Sequence, residues 1–115
     1  MDIKEILKTK TGLSVEKNHF VKPPKLPYIT FIQDKEIRGI SNDNLIIDSD
    51  VSVELYTSLP DEELENKVRK VIINDILKTS QNDDEVEIVQ MTEYIESEQM
   101  YLTNFDFNLI EKGGN

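Results

Sequence analysis

The chain has a single histidine, His19. A general base needs a partner and a cleft, and a zinc site needs three or four ligands. Neither constellation is visible around position 19, so we read His19 as a structural or surface residue. Asp48-Ser49-Asp50 puts two carboxylates on one face of a strand, two residues apart. Paired carboxylates can hold a hard cation or do acid–base work; here they read as a solvated strand face. Ser41-Asn42-Asp43-Asn44 offers oxygen ligands but lacks the spacing and the distal Glu of a calcium loop. It reads as a turn. There is no Gly-x-Ser-x-Gly elbow, no His-Glu-x-x-His and no Gly-rich phosphate loop. With no cysteine, the chain has no thiolate nucleophile, thiolate metal site or disulfide framework. The expectation is a protein that is not an enzyme, with no catalytic residue, no cofactor and no metal.

The elements that carry these residues centre on residues 45–77. Leu45, Ile47, Val51, Val53 and Leu55 fall on one face of a strand, while Asp48, Asp50, Ser52 and Glu54 fall on the other. Ile46 and Tyr56 are apolar exceptions. This period-2 alternation marks a half-buried strand. Ser58 followed by Asp61 resembles a capping box, with Pro60 tolerated in a first turn. Asp61, Glu62 and Glu63 put negative charge where a helix dipole favours it. From Leu64, apolar residues recur at Val68, Val71, Ile72 and Ile76 with helical spacing.

Around that unit, residues 2–10 read as a short helix with Ile3, Ile6 and Leu7 on one face, closed by Gly12 in a left-handed conformation. Residues 13–20 read as extended. Lys22-Pro23-Pro24-Lys25-Leu26-Pro27 reads as an extended connector, because prolines remove backbone donors. Residues 28–33 form a strand. Residues 34–44 are polar and rich in turn formers. They are either the distal part of a long hairpin arm or a loop that meets a partner, with Ile37 and Ile40 lacking obvious burial. A polar turn over 79–84 leads to strands at 86–95 and 100–110. In the last strand Tyr101, Phe105, Phe107 and Leu109 face one way and Asn104, Asp106 and Asn108 the other. The tail from Lys112 is expected to fray. Tyr28 and Phe31 could stack bases, but they lie on opposite strand faces in acidic surroundings and read as core.

The fold class expected is α+β: a mostly antiparallel β-sheet with a short N-terminal helix and one longer helix packed on one face, in the order α-β-β-β-α-β-β. At 115 residues, one domain over 1–115 is the default. The net charge of −10, with 23 acidic against 13 basic residues, argues against a polyanionic partner. The basic residues Lys8, Lys10, Lys17, Lys22 and Lys25 are spread thinly. No apolar run reaches signal-peptide or membrane-spanning length, so a soluble chain is expected that stays where it is made.

Leu26-Pro27-Tyr28-Ile29-Thr30-Phe31, a polar arm, Val51-Ser52-Val53-Glu54-Leu55-Tyr56-Thr57, an acidic-start helix and a closing hairpin follow one another in the chain. Over roughly residues 3–110 this resembles the tail-completion, or tail-terminator, proteins of tailed bacteriophages and prophages. The resemblance implies a non-enzymatic subunit of a homo-oligomeric ring, typically a hexamer, that caps the tail tube, stops its growth and joins it to the head connector. Its partners would be itself, the tail-tube protein and the head-connector protein, without sequence-specific nucleic-acid binding. DNA could pass through an acidic lumen. The place of action would be the host cytoplasm during assembly, then the virion or a tail-like particle. Asp34, Lys35, Glu36, Ile37, Arg38, Ile40 and Asp43 are the candidate interface residues. Two alternatives remain: another virion subunit of related fold (head–tail adaptor or tail-tube protein), or a small acidic protein-binding module that mimics DNA.

Overall fold

The computed structural model describes residues 1–39, 45–78 and 87–113. Helix α1 spans Ile3–Thr11, β1 Ser14–Lys17, β2 Tyr28–Gly39 and β3 Leu45–Thr57. Helix α2 spans Glu62–Val71 and runs on as a π-helical segment, Ile72–Leu77; β4 spans Val89–Ile95 and β5 Met100–Gly113. The five strands form one sheet in the order β1-β2-β3-β5-β4. β1 runs parallel to β2; the other three pairings are antiparallel. The expected α+β class and element order are what the structure has.

Local signals explain several boundaries. The Asp2 carboxylate accepts from the Glu5 N–H at 3.1 Å and caps α1. Gly12 ends it at φ +77, donating its N–H to the Lys8 carbonyl at 2.9 Å. A left-handed residue there carries no Cβ penalty when it is glycine. The start of α2 differs from the capping box proposed at Ser58. Asp61 is the N-cap, its side chain accepting from Leu64 N–H at 3.0 Å, and Pro60 lies before the helix. Ser and Asp cap about equally well, so the position of the cap is set by where the chain leaves the sheet after Thr57 and enters the helix at Glu62. At the other end the Lys78 N–H reaches the Ile73 carbonyl, five residues back. The wider turn lets Ile76 and Leu77, adjacent in sequence, both be buried.

Alternation decides which sheet face meets the helices. Val15, Ile29, Phe31, Val51, Val53, Leu55, Phe105, Phe107 and Leu109 form one core with Ile3 and Leu7 of α1 and Val68, Val71, Ile72, Ile76 and Leu77 from α2 onward. All nine strand positions are odd-numbered, and the register keeps odd residues on one face across β2, β3 and β5. Both helices therefore pack on that face. Fully burying a side chain of the Val, Leu, Ile or Phe size is worth about 1.5–3 kcal/mol, so this layer dominates stability.

Two further boundaries moved. β2 continues to Gly39, so residues 34–39 are strand and not loop: the long-hairpin alternative is the correct one. Their polarity hid this, because neither face of that stretch is buried. Likewise β5 runs through Lys112 to Gly113 and does not fray at 112, being paired to β3. β4 begins at Val89, three residues later than expected. Ile40 to Asn44 and the predicted turn at 79–84 lie outside the described residues.

Candidate assembly surfaces

β2, β3 and β5 are far longer than the layer of helices that covers them. Beyond Gln33, Ser49 and Leu109, the three strands continue as a blade made of residues 34–39, 45–48 and 110–113. The blade accounts for the elongated shape, 51 × 31 × 23 Å. β1 pairs only with residues 28–31 of β2, and β4 only with residues 100–106 of β5. Among the described residues the blade thus has two unpaired edges, one on β2 and one on β5. Such edges are templates for further strand pairing.

Asp34, Lys35, Glu36, Ile37 and Arg38 all lie on the blade and are exposed. Ile37 is 62% exposed, opposite Ile47; Leu45, 41% exposed, lies opposite Gly39. The other two residues expected at an interface, Ile40 and Asp43, lie outside the described residues. Sequence reasoning missed the contribution of β5: Glu111 and Lys112 sit opposite Ile47 and Ile46. Leu109-Ile110-Glu111-Lys112 shows no alternation, so only the pairing with β3 reveals this stretch as strand.

Charge on the outer face of the blade and its root, opposite the helices, is arranged against itself. Asp34 is directly opposite Asp50, and Glu36 directly opposite Asp48. Like charges so placed are destabilising. Two side chains offset this. Asn108 Nδ2 donates to Asp48 Oδ1 at 2.7 Å and to Asp50 Oδ1 at 3.1 Å. Arg38 meets Asp48 Oδ2 at 2.9 Å. The carboxylate pair therefore works as a strand-to-strand clamp. Among the described residues no group of three or more His, Asp or Glu is arranged to hold a metal ion.

At the opposite end of the outer face lies an aromatic cluster. Tyr28 stacks on Tyr56 at 4.9 Å, and Phe20 meets Tyr28 edge-on at 5.3 Å. Of the two aromatics read as core, Phe31 joins the helix-side core, whereas Tyr28 is buried by this cluster instead. Burial pushes the phenols of both Tyr28 and Tyr56 above their ordinary range. His19 is exposed beside it, as expected of a surface residue. On the β1 edge, Lys4 Nζ bonds Glu16 Oε1 at 3.1 Å, and this with the Lys17 N–H holds Glu16 below the usual carboxylate range. No helix among the described residues is long and apolar enough to cross a membrane.

Comparison with known proteins adds a fold likeness. No family model matches the sequence, and no curated protein matches it. Among solved structures, a chain in the virion of a native gene transfer agent particle matches with a TM-score of 0.58. The match covers 96% of this chain and 87% of that one, at 12% identity. At that identity the shared property is the fold.

Proposed function

We propose that this chain is a structural subunit of a phage-like virion or tail-like particle. More narrowly, it is a tail-completion subunit that closes into a ring, a hexamer by its likeness to that family, at the end of the tail tube. The ring stops tube growth and presents a joint to the head connector. The observation that carries this reading is the blade: three strands projected past the helix layer, with both edges unpaired among the described residues and Ile37 and Leu45 exposed. A lone soluble domain gains nothing from such a projection and risks edge-to-edge aggregation. Repeated head-to-tail contacts would cover the edges, and they close into a ring if the rotation between copies allows. Near-complete fold coverage of a chain from a virion supports the same reading, as does the order of short motifs from Leu26 to Thr57. The surface acidity fits a lumen through which DNA passes without adhering.

Negative-stain imaging of the purified protein, with its mass measured across concentration, tests the reading. Single rings are expected. Long tubes would assign a tube subunit instead, and a monomer at every concentration that binds basic proteins in a salt-sensitive way would assign the acidic binding module. Shortening the blade's β2–β3 hairpin to a two-residue turn between Gln33 and Val51 should abolish rings while leaving the helix-backed fold intact. Normal rings from that variant would refute the blade's role.

A further inference from the structure

Charge is distributed unevenly along this chain. Residues 6–33 carry five lysines, at 8, 10, 17, 22 and 25, against one carboxylate, Glu16. Residues 34–115 carry seven basic residues against twenty acidic ones. With a net charge of −10, copies of the chain repel one another at long range, so any contact between them must set opposite charges together locally.

The fold separates the two populations in space. The loop between β1 and β2 is basic and anchored at its base. Asn18 donates its N–H to the Phe31 carbonyl at 2.8 Å, and Phe20 is pinned edge-on to Tyr28. Three prolines at 23, 24 and 27 stiffen the return to β2. Between these anchors Val21 stands 98% exposed, with Lys17, Lys22 and Lys25 exposed around it. Further along the outer sheet face, Asp34, Asp50 and Asp106 ring a shallow hollow of about 380 Å³ that contains Ile32, itself 42% exposed. The first surface is a stiff basic projection with an apolar tip. The second is an acidic rim around an apolar spot.

We infer that copies of this chain associate head to tail, the basic β1–β2 loop of one copy seated in the acidic hollow over Ile32 of the next. The inference rests on the ring-forming reading and deepens it by naming the two surfaces in contact. They share no residue, so the contact is heterologous, and the same contact repeats at every junction. Val21 would cover Ile32, while Lys22 and Lys25 meet Asp34 and Asp50. The prolines keep the loop close to its bound shape, which lowers the ordering cost of association. Because the rim is charged, the contact should weaken as salt rises.

Paired charge reversal tests it on the full chain, with mass in solution as the readout and circular dichroism as the folding control. One variant carries Lys22→Glu and Lys25→Glu; the other carries Asp34→Lys and Asp50→Lys. All four positions are exposed. Each variant alone should fall to monomer at concentrations where the unaltered chain is assembled. Mixed one to one, they should assemble again, because each then presents what the other lacks. Should a reversal perturb folding, a salt titration of the unaltered chain serves instead: 1 M NaCl should shift assembly to at least tenfold higher protein concentration. Assembly untouched by either reversal or by salt, or a mixture that stays monomeric, overturns this contact and leaves the ring reading standing. An unaltered chain that is monomeric at every concentration overturns both.

Discussion

The same three strands behave as two different materials along their length. Near the helices, residues 51–57 and 103–109 alternate buried with more exposed positions and residues 28–31 are buried throughout; their inner face is Phe31, Val53, Leu55 and Phe105 under α1 and α2. Farther out, residues 34–39, 45–48 and 110–113 keep the same pairing but have no helix layer on either face among the described residues. Backbone hydrogen bonding is common to both regions, so it cannot account for the contrast. What differs is apolar area removed from water. The backed half is held by burial. The blade is held by its ladder and by polar clamps: Gln33 to Ser49 at 3.1 Å, Asn108 to Asp48 and Asp50, Arg38 to Asp48, and the N-terminal ammonium to Glu111 at 3.3 Å. A region held by its ladder and by polar contacts, without an apolar core, is suited to gaining its burial from another molecule.

The sharpest way to break this comparison is truncation on each side of it. Phe105 is fully buried against the helices, so Phe105→Ala should cost about 3–5 kcal/mol, read as a lower midpoint in urea unfolding. Ile110, 39% exposed on the blade, should tolerate Ile110→Ala within about 0.5 kcal/mol. Equal losses would mean that the blade is buried in a way the chain alone does not provide.

That contrast also governs how far the sequence could be read. β3 was legible because its inner face is continuous apolar chemistry from Val51 to Leu55, and β5 because Phe105, Phe107 and Leu109 repeat it. Gly12 was legible because a left-handed cap is a local requirement. Residues 34–39, Asp-Lys-Glu-Ile-Arg-Gly, looked like a turn because a strand solvated on both faces writes no alternation; only pairing with β3, which is non-local, makes it a strand. The parallel placement of β1 is likewise a matter of topology, with no local signature. The cap of α2 was misplaced by three residues because Ser58 and Asp61 both have capping chemistry, and the choice depends on where the chain turns off the sheet. Of the candidate assembly surface, the β2 side was visible as a polar arm with stray isoleucines; the β5 side and the basic loop's placement needed the fold.

Next in size is the clamp. Asn108→Ala removes the donor between Asp48 and Asp50, leaving those carboxylates closer to unrelieved repulsion, and should cost about 1 kcal/mol. Hydrogen exchange should show the added opening confined to blade amides, with the helix-backed amides unchanged. A comparable loss, about 1 kcal/mol, is expected from Asp61→Ala, which strips the N-cap of α2; here the opening should fall on the helix and not on the blade.

The aromatic end gives a pH-dependent test. Burial raises the phenol of Tyr56, and that of Tyr28, above the ordinary value of 10.0. The folded state therefore holds these protons more tightly than the unfolded chain. Their contribution is fully present below the unfolded value and is lost as pH rises through the folded one. Stability should fall above about pH 10, and Tyr56→Phe should flatten that decline while leaving neutral-pH stability nearly unchanged. A decline of the same steepness in the variant would place the alkaline sensitivity elsewhere.

The smallest stability effect belongs to the residue with the most to say about function. Arg38 and Asp48 form an exposed pair, with 52% and 26% of their side chains accessible, and such pairs are worth about 0–1 kcal/mol. Arg38→Ala should therefore leave the unfolding midpoint of the isolated chain almost where it was. If the blade meets another subunit, the same change removes a cation from a crowded acidic face at the contact, and ring formation should shift to higher protein concentration. Stability and assembly would then respond separately to one substitution, which is what a surface kept for a partner predicts. A loss of unfolding stability of several kcal/mol would instead make Arg38 a structural residue, and the blade an ordinary extension of the core.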